Sequence, residues 1–148
     1  MKNMIRCYLD ANVLIFLQDK KSPFYNQAVL TIKQLILKRA EIFTSSLSLD
    51  EFLQGSLRFS RKTKQEMKGQ LKIGLKKIFS LPQFRLVNPP DDTKRHMKVV
   101  DIVAKYNLRP RDAYHLFIMQ ENKIKYLATF DHDFDRVFAK GTVQKFPI

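Results

Sequence analysis

The chain has 148 residues, with 27 lysines and arginines against 14 aspartates and glutamates, giving a formal net charge of +13. At 45% hydrophobic residues it holds too much apolar material for a disordered basic tail, and its length fits one domain, residues 1–148, with a sizeable core. The single cysteine, Cys7, excludes an internal disulfide framework and a multi-cysteine zinc site, and points to a reducing cytoplasm.

In chain order, residues 5–9 form a short apolar run suited to a strand, closed by Asp10 and Asn12 as a turn or cap. These two polar residues also stop the run before it becomes a signal-peptide core. Residues 23–39 read as a helix, because Ala28, Ile32, Leu35 and Ile36 recur at helical spacing. A strand is expected at 41–45 and helices at 48–58 and 62–79, the last with Met67, Leu71, Leu75, Ile78 and Phe79 on one face. Residues 84–87 suit a strand, and Asn88-Pro89-Pro90-Asp91-Asp92 a loop. Helices at 91–106 and 111–122 flank a break at 107–110; a strand at 125–129, a short helix at 133–138 and a strand at 142–146 complete the chain. No run approaches the roughly 18 apolar residues that span a membrane. The alternation predicts an α/β fold with a mainly parallel central sheet flanked by helices.

In such sheets, active sites lie beyond the carboxyl ends of the strands. The residues there are acidic: Asp10 after the first strand, Glu51 after the second, Asp131 after the strand at 125–129, and Asp112 at the start of a helix. Each has a structural explanation by itself. Asp10 can cap a helix, Ser48-x-x-Glu51 reads as a capping box, Asp112 complements a helix dipole, and Asp131 with Asp133 and Asp135 can form an Asx turn. Capping does not explain their shared location. Converging carboxylates repel one another, and a divalent cation removes that penalty. Oxygen donors without clustered histidine or cysteine select a hard ion, Mg²⁺ or Mn²⁺. An ion held this way, in a basic surround, suits phosphodiester hydrolysis.

Four segments resemble the PIN domain, and within it the VapC-like toxins of type II toxin–antitoxin systems. They are Leu9-Asp10-Ala11-Asn12-Val13-Leu14-Ile15, Thr44-Ser45-Ser46-Leu47-Ser48-Leu49-Asp50-Glu51-Phe52, Arg111-Asp112-Ala113-Tyr114-His115-Leu116 and Leu127-Ala128-Thr129-Phe130-Asp131-His132-Asp133-Phe134. The resemblance implies a three-layer PIN-like fold and a metal-dependent ribonuclease leaving 5′-phosphate and 3′-hydroxyl ends. It implies Asp10, Glu51, Asp112 and Asp131 as the catalytic, metal-binding set, with Asp133 as a helper. Asn12 and Thr129 match positions that orient the carboxylates or the attacking water. Glu51 is chosen over Asp50 because apolar Phe52-Leu53 follows it. The resemblance also implies a homodimer and an antitoxin partner.

Lys64, Lys68, Lys72 and Lys76 fall at i, i+4 spacing and form one stripe, a phosphate track for RNA or a solvated helix face. Arg109 and Arg111 flank Pro110 beside Asp112 and are placed to contact a scissile phosphate as bidentate donors. His115, three residues after Asp112, reads as a structural or surface residue, and Cys7 as inert packing. Phe16, Leu17, Phe24 and Tyr25 read as ordinary core rather than as a partner surface. A metal-dependent endoribonuclease toxin is the leading reading; a non-catalytic RNA-binding or regulatory module is the alternative.

Overall fold

A computed structural model describes residues 3–147. Five parallel strands lie in the order β3-β2-β1-β4-β5: β1 (Arg6–Leu9), β2 (Glu41–Ser45), β3 (Phe84–Val87), β4 (Tyr126–Ala128) and β5 (Gln144–Lys145). Parallel neighbours need crossovers, and helices supply them. On the way to β3 these are α1 (Ala11–Phe16), α2 (Tyr25–Leu37), α3 (Ser46–Arg58) and α4 (Lys64–Phe79). After β3 come α5 (Thr93–His96), α6 (Lys98–Tyr106), α7 (Pro110–Glu121) and α8 (Asp135–Ala139). Among the described residues, no helix is long and apolar enough to cross a membrane.

Period-2 alternation sorts the strand side chains into two cores. Tyr8, Phe43 and Leu127 share one face and pack with Ile102, Tyr106, Leu116 and Phe117 of α6 and α7. Cys7, Leu9, Ile42 and Ala128 share the other and pack with Leu14, Ile32, Leu35, Phe52 and Ile78 of α1 to α4. Strand β1 is covered on both faces, which explains its unbroken buried run Cys7-Tyr8-Leu9. Burial also pushes the Cys7 thiol well above its ordinary range, consistent with inert packing.

The strand order sets the position of the site. The chain builds outward from β1 to β2 to β3, then returns to the opposite side of β1 for β4. The topological switch therefore lies between β1 and β4, where a crevice opens at the carboxyl ends of the strands. Asp10 stands there, its amide donating to Ala128 O at 3.0 Å.

Several boundaries differ from the sequence expectation. The turn after β1 is a six-residue helix, with Asp10 as its N-cap. Helix α3 begins at Ser46, two residues early, because Ser45 caps it by accepting from Ser48 N. Ser48 is thus inside the helix and the Ser48–Glu51 capping box does not form. The helix expected at 91–106 is two, α5 and α6, meeting at Met97. Phe79 is 47% exposed, so the apolar face of α4 ends at Ile78. Phe24 is 43% exposed and leaves the core expected for it: it stacks with Phe16 and Phe130 at centroid distances of 4.9 and 5.5 Å.

Candidate metal centre

Asp10 is 5% exposed, and its carboxylate is fixed from three directions. Oδ1 accepts from Ala11 N at 2.8 Å; Oδ2 accepts from Thr129 Oγ1 at 2.7 Å and from Asn12 Nδ2 at 3.3 Å. Capping and site geometry are thus one arrangement: the N-cap bond of α1 also aims the carboxylate. Thr129, directly after β4, is fully buried. Its one hydroxyl hydrogen goes to Asp10, and its oxygen accepts from Asn12 Nδ2 at 3.2 Å and Asp131 N at 3.1 Å. Asn12 Oδ1 accepts from Phe130 N at 3.1 Å, tying α1 to the segment after β4. Asn12 and Thr129 therefore both hydrogen-bond the Asp10 carboxylate across the β1–β4 switch.

Glu51 enters from α3. Its Oε1 accepts from His115 Nε2 at 2.7 Å, and Arg111 Nε lies 3.8 Å away. Asp10, Glu51 and His115 each offer a ligand atom within 4.8 Å of the others. His115 is 2% exposed, and its Nδ1 lies 2.7 Å from the Tyr8 hydroxyl. That hydroxyl in turn lies 2.5 Å from Ser45 Oγ and 3.0 Å from Ser48 Oγ. A carboxylate only accepts hydrogen bonds, so Nε2 carries the proton that Glu51 receives. His115 is thus the residue that sequence reasoning undervalued. Its spacing from Asp112, nearly one helical turn, was the available signal.

Asp112, Asp131 and Asp133 fall outside this tight group. Burial pushes the Asp112 carboxyl above its ordinary range, and the charges of Asp133, Asp10 and Glu51 raise it further, while His115 opposes them. Asp131 is likewise raised by burial first and then by Asp133, with Asn12 opposing. For Asp10, burial is again the largest cause, outweighing His115 and the hydrogen bonds from Thr129 and Ala11. The carboxylates sense one another as like charges, the electrostatics expected where a cation belongs.

The donor chemistry fits a divalent ion. Asp10 and Glu51 are hard oxygen donors, the charges of Asp112, Asp131 and Asp133 act on the same region, and the imidazole of His115 is engaged by Glu51 and Tyr8. Among the described residues, Asp10 forms no ion pair with lysine or arginine. Around the rim, Arg109 and Arg111 are exposed at the start of α7. Lys64, Lys68, Lys72 and Lys76 are exposed on α4, in the layer opposite α7.

Comparison with solved structures finds the same architecture in several other chains. VapBC2 from Rickettsia felis, solved with a DNA fragment of its promoter, aligns with a TM-score of 0.63 and 18% identity, covering 95% of this chain and 97% of that one. Mycobacterium tuberculosis VapC20, described as a Sarcin-Ricin loop cleaving toxin, aligns with a TM-score of 0.64 and 16% identity, covering 95% and 99%. FitAcB from Neisseria gonorrhoeae gives 0.64 and 16%, covering 95% and 96%. At these identities the likeness concerns the fold. A search of curated protein sequences returns no match. The family model for the PIN domain matches residues 7–139, a span that begins inside β1, ends with α8 and contains every acidic residue of the site. The chain therefore belongs to the PIN domain family.

Proposed function

We propose that this protein is a metal-dependent endoribonuclease, the toxin of a toxin–antitoxin pair, hydrolysing RNA phosphodiester bonds at the Asp10 centre. The observation that carries this reading is Asp10 itself. A carboxylate 5% exposed, facing Glu51 and, among the described residues, without a lysine or arginine partner, is one whose charged form a bound cation would stabilise. Asp10, Glu51, Asp112 and Asp131 would hold Mg²⁺ or Mn²⁺, with Asp133 assisting. When bound, such an ion neutralises charge on the phosphate and lowers the pKa of a water.

The chain's own residues do the rest. Thr129 and Asn12 hold the Asp10 carboxylate in one orientation, and His115 holds Glu51. Fixed donors cost no reorganisation during reaction. One of Asp112 and Asp131, which lie outside the tight Asp10–Glu51–His115 group, accepts a proton from the attacking water. Arg109 and Arg111, beside Asp112, supply cations for the phosphate on the open side, and the Lys64–Lys68–Lys72–Lys76 stripe adds a more distant one. The products carry 5′-phosphate and 3′-hydroxyl ends.

The reading treats residues 1–148 as one cytoplasmic domain acting as a homodimer. A toxin with an antitoxin partner is supported by the neighbours, since the Mycobacterium structure is described as a toxin and the Rickettsia one as VapBC2 on a DNA fragment of its promoter. It is supported too by a groove between α1, α3 and α4, lined by Ile15, Phe52, Met67 and Ile73, with Phe59 86% exposed at its edge. An amphipathic segment fits such a surface.

The test incubates purified protein, freed of co-purifying partner, with a mixed RNA pool and Mn²⁺ or Mg²⁺. Cleavage that is lost with EDTA and in Asp10→Asn is the expected result. RNA binding without cleavage across several pools would replace this reading by the non-catalytic RNA-binding or regulatory module.

A further inference from the structure

The cleft beside the acidic residues is lined by Arg109, Asp112, His132, Asp133 and Arg136. It adjoins, through Asn107 and Arg136, a second recess lined by Lys105, Tyr106 and Lys140. Arg109, Arg136, Lys105 and Lys140 are all exposed, and among the described residues none pairs with a carboxylate. Backbone carbonyls hold two of them instead. Arg136 Nη1 donates to Asn107 O at 3.0 Å, where α6 ends in a left-handed residue with φ 52°. Lys140 Nζ donates to Lys105 O at 3.0 Å. The ammonium groups of Lys105 and Lys140 lie 5.2 and 5.1 Å from the centre of the Tyr106 ring. A neutral carbonyl positions a cation without cancelling its charge, and an arginine held at one nitrogen keeps its other donors.

We infer that the RNA backbone leaves the acidic centre along this surface, with Arg109 nearest Asp112, Arg136 next, and Lys105 and Lys140 beyond. The inference rests on the ribonuclease reading and names where its substrate runs. A row of exposed cations, unneutralised among the described residues and with two of them held by backbone carbonyls, leads out of a carboxylate centre and fits a phosphodiester chain. Its phosphates are repelled at Asp112 and Asp133 unless a cation is bound there, and attracted everywhere after. The α4 lysine stripe lacks that continuity. It lies in the opposite layer, and the groove along α4 is lined by residues of α1 and α3 that include none of Asp10, Glu51, Asp112 or Asp131.

The test measures fluorescent single-stranded RNA binding by anisotropy across a salt series, in an Asp10→Asn background so that the RNA stays intact. Losing two phosphate contacts lowers the slope of log affinity against log salt by about 1.4, at roughly 0.7 per contact on a single strand. Arg136→Gln with Lys140→Gln is expected to show that loss, whereas Lys33→Ala with Lys38→Ala, exposed positions on and just after α2, leaves the slope unchanged. An unchanged slope in the first pair, a loss confined to Lys68→Ala with Lys72→Ala, or no RNA binding at all would overturn the inference. Wild-type cleavage of the same RNA with Mn²⁺ separates the two claims. Cleavage with an unchanged slope removes only this surface; slope loss without cleavage removes only the ribonuclease reading.

Discussion

Thr129→Val tests whether one buried hydroxyl holds the centre together. Valine matches threonine in shape and fills the same space, so packing around this fully buried position is kept. Three hydrogen bonds are lost: the donation to Asp10 Oδ2 at 2.7 Å, and the acceptances from Asn12 Nδ2 at 3.2 Å and Asp131 N at 3.1 Å. The bond to the carboxylate is buried and charge-assisted, about 1.5–3 kcal/mol. The other two are partly reached by water and contribute toward the low end, about 0.5 kcal/mol each. The sum is about 3 kcal/mol, or about 10 °C in Tm for a chain of this size. Thr129→Ser keeps all three bonds and loses one methyl, about 1 kcal/mol. Urea unfolding of metal-free protein, compared at the midpoint with m unchanged, measures both. A Thr129→Val variant within 1 kcal/mol of Thr129→Ser would refute the reasoning.

His115→Leu removes the donor to Glu51 Oε1, while His115→Gln keeps an amide donor at a similar reach. We expect Mn²⁺ affinity by calorimetry to fall about tenfold in the leucine variant and to be largely restored in the glutamine one; equal loss in both would show that the ring, not the hydrogen bond, matters. Burial raises the Asp10 carboxyl above its ordinary value of 3.8, so the folded state holds that proton more tightly than the unfolded chain. The resulting stability is full below 3.8 and is lost as pH rises through the raised value. Metal-free wild type should therefore lose stability relative to Asp10→Asn between pH 4 and pH 7.5, read as urea midpoints in EDTA; a constant difference contradicts this. Added Mn²⁺ should raise the wild-type Tm at pH 7.5 more than at pH 4.5, since the ligands must be deprotonated, and should leave Asp10→Asn unmoved.

Much of this site was legible because it sits where strands end. The buried run Cys7-Tyr8-Leu9 followed by Asp10 announces a central strand and its carboxyl-end residue, and the same pattern recurs at Leu127-Ala128-Thr129 before Asp131. Arg111-Asp112 after Pro110 marks a helix start, and the helix begins there. The contacts across the sheet were not legible. Tyr8 and His115 are 107 residues apart and meet only because β1 and α7 pack together. The Ser48–Glu51 spacing suggested a cap, yet Ser45 was free to cap first, so Glu51 turned to His115 instead. Helix α1 has six residues, too short for periodicity to declare it, and its cap at Asp10 was its main signal. Phe24 read as core by residue type, but apolar identity alone does not say which side of a helix start faces inward.

The most direct measurement follows RNA cleavage and metal occupancy in the same samples, titrating Mn²⁺ into metal-free wild type, Asp10→Asn and Thr129→Val. The account predicts a cleavage rate that rises in step with occupancy in wild type, tracks weaker occupancy in Thr129→Val, and is absent with the lost site in Asp10→Asn. Cleavage that persists in EDTA or in Asp10→Asn, or full occupancy of the wild-type site with no cleavage of any RNA, would contradict it.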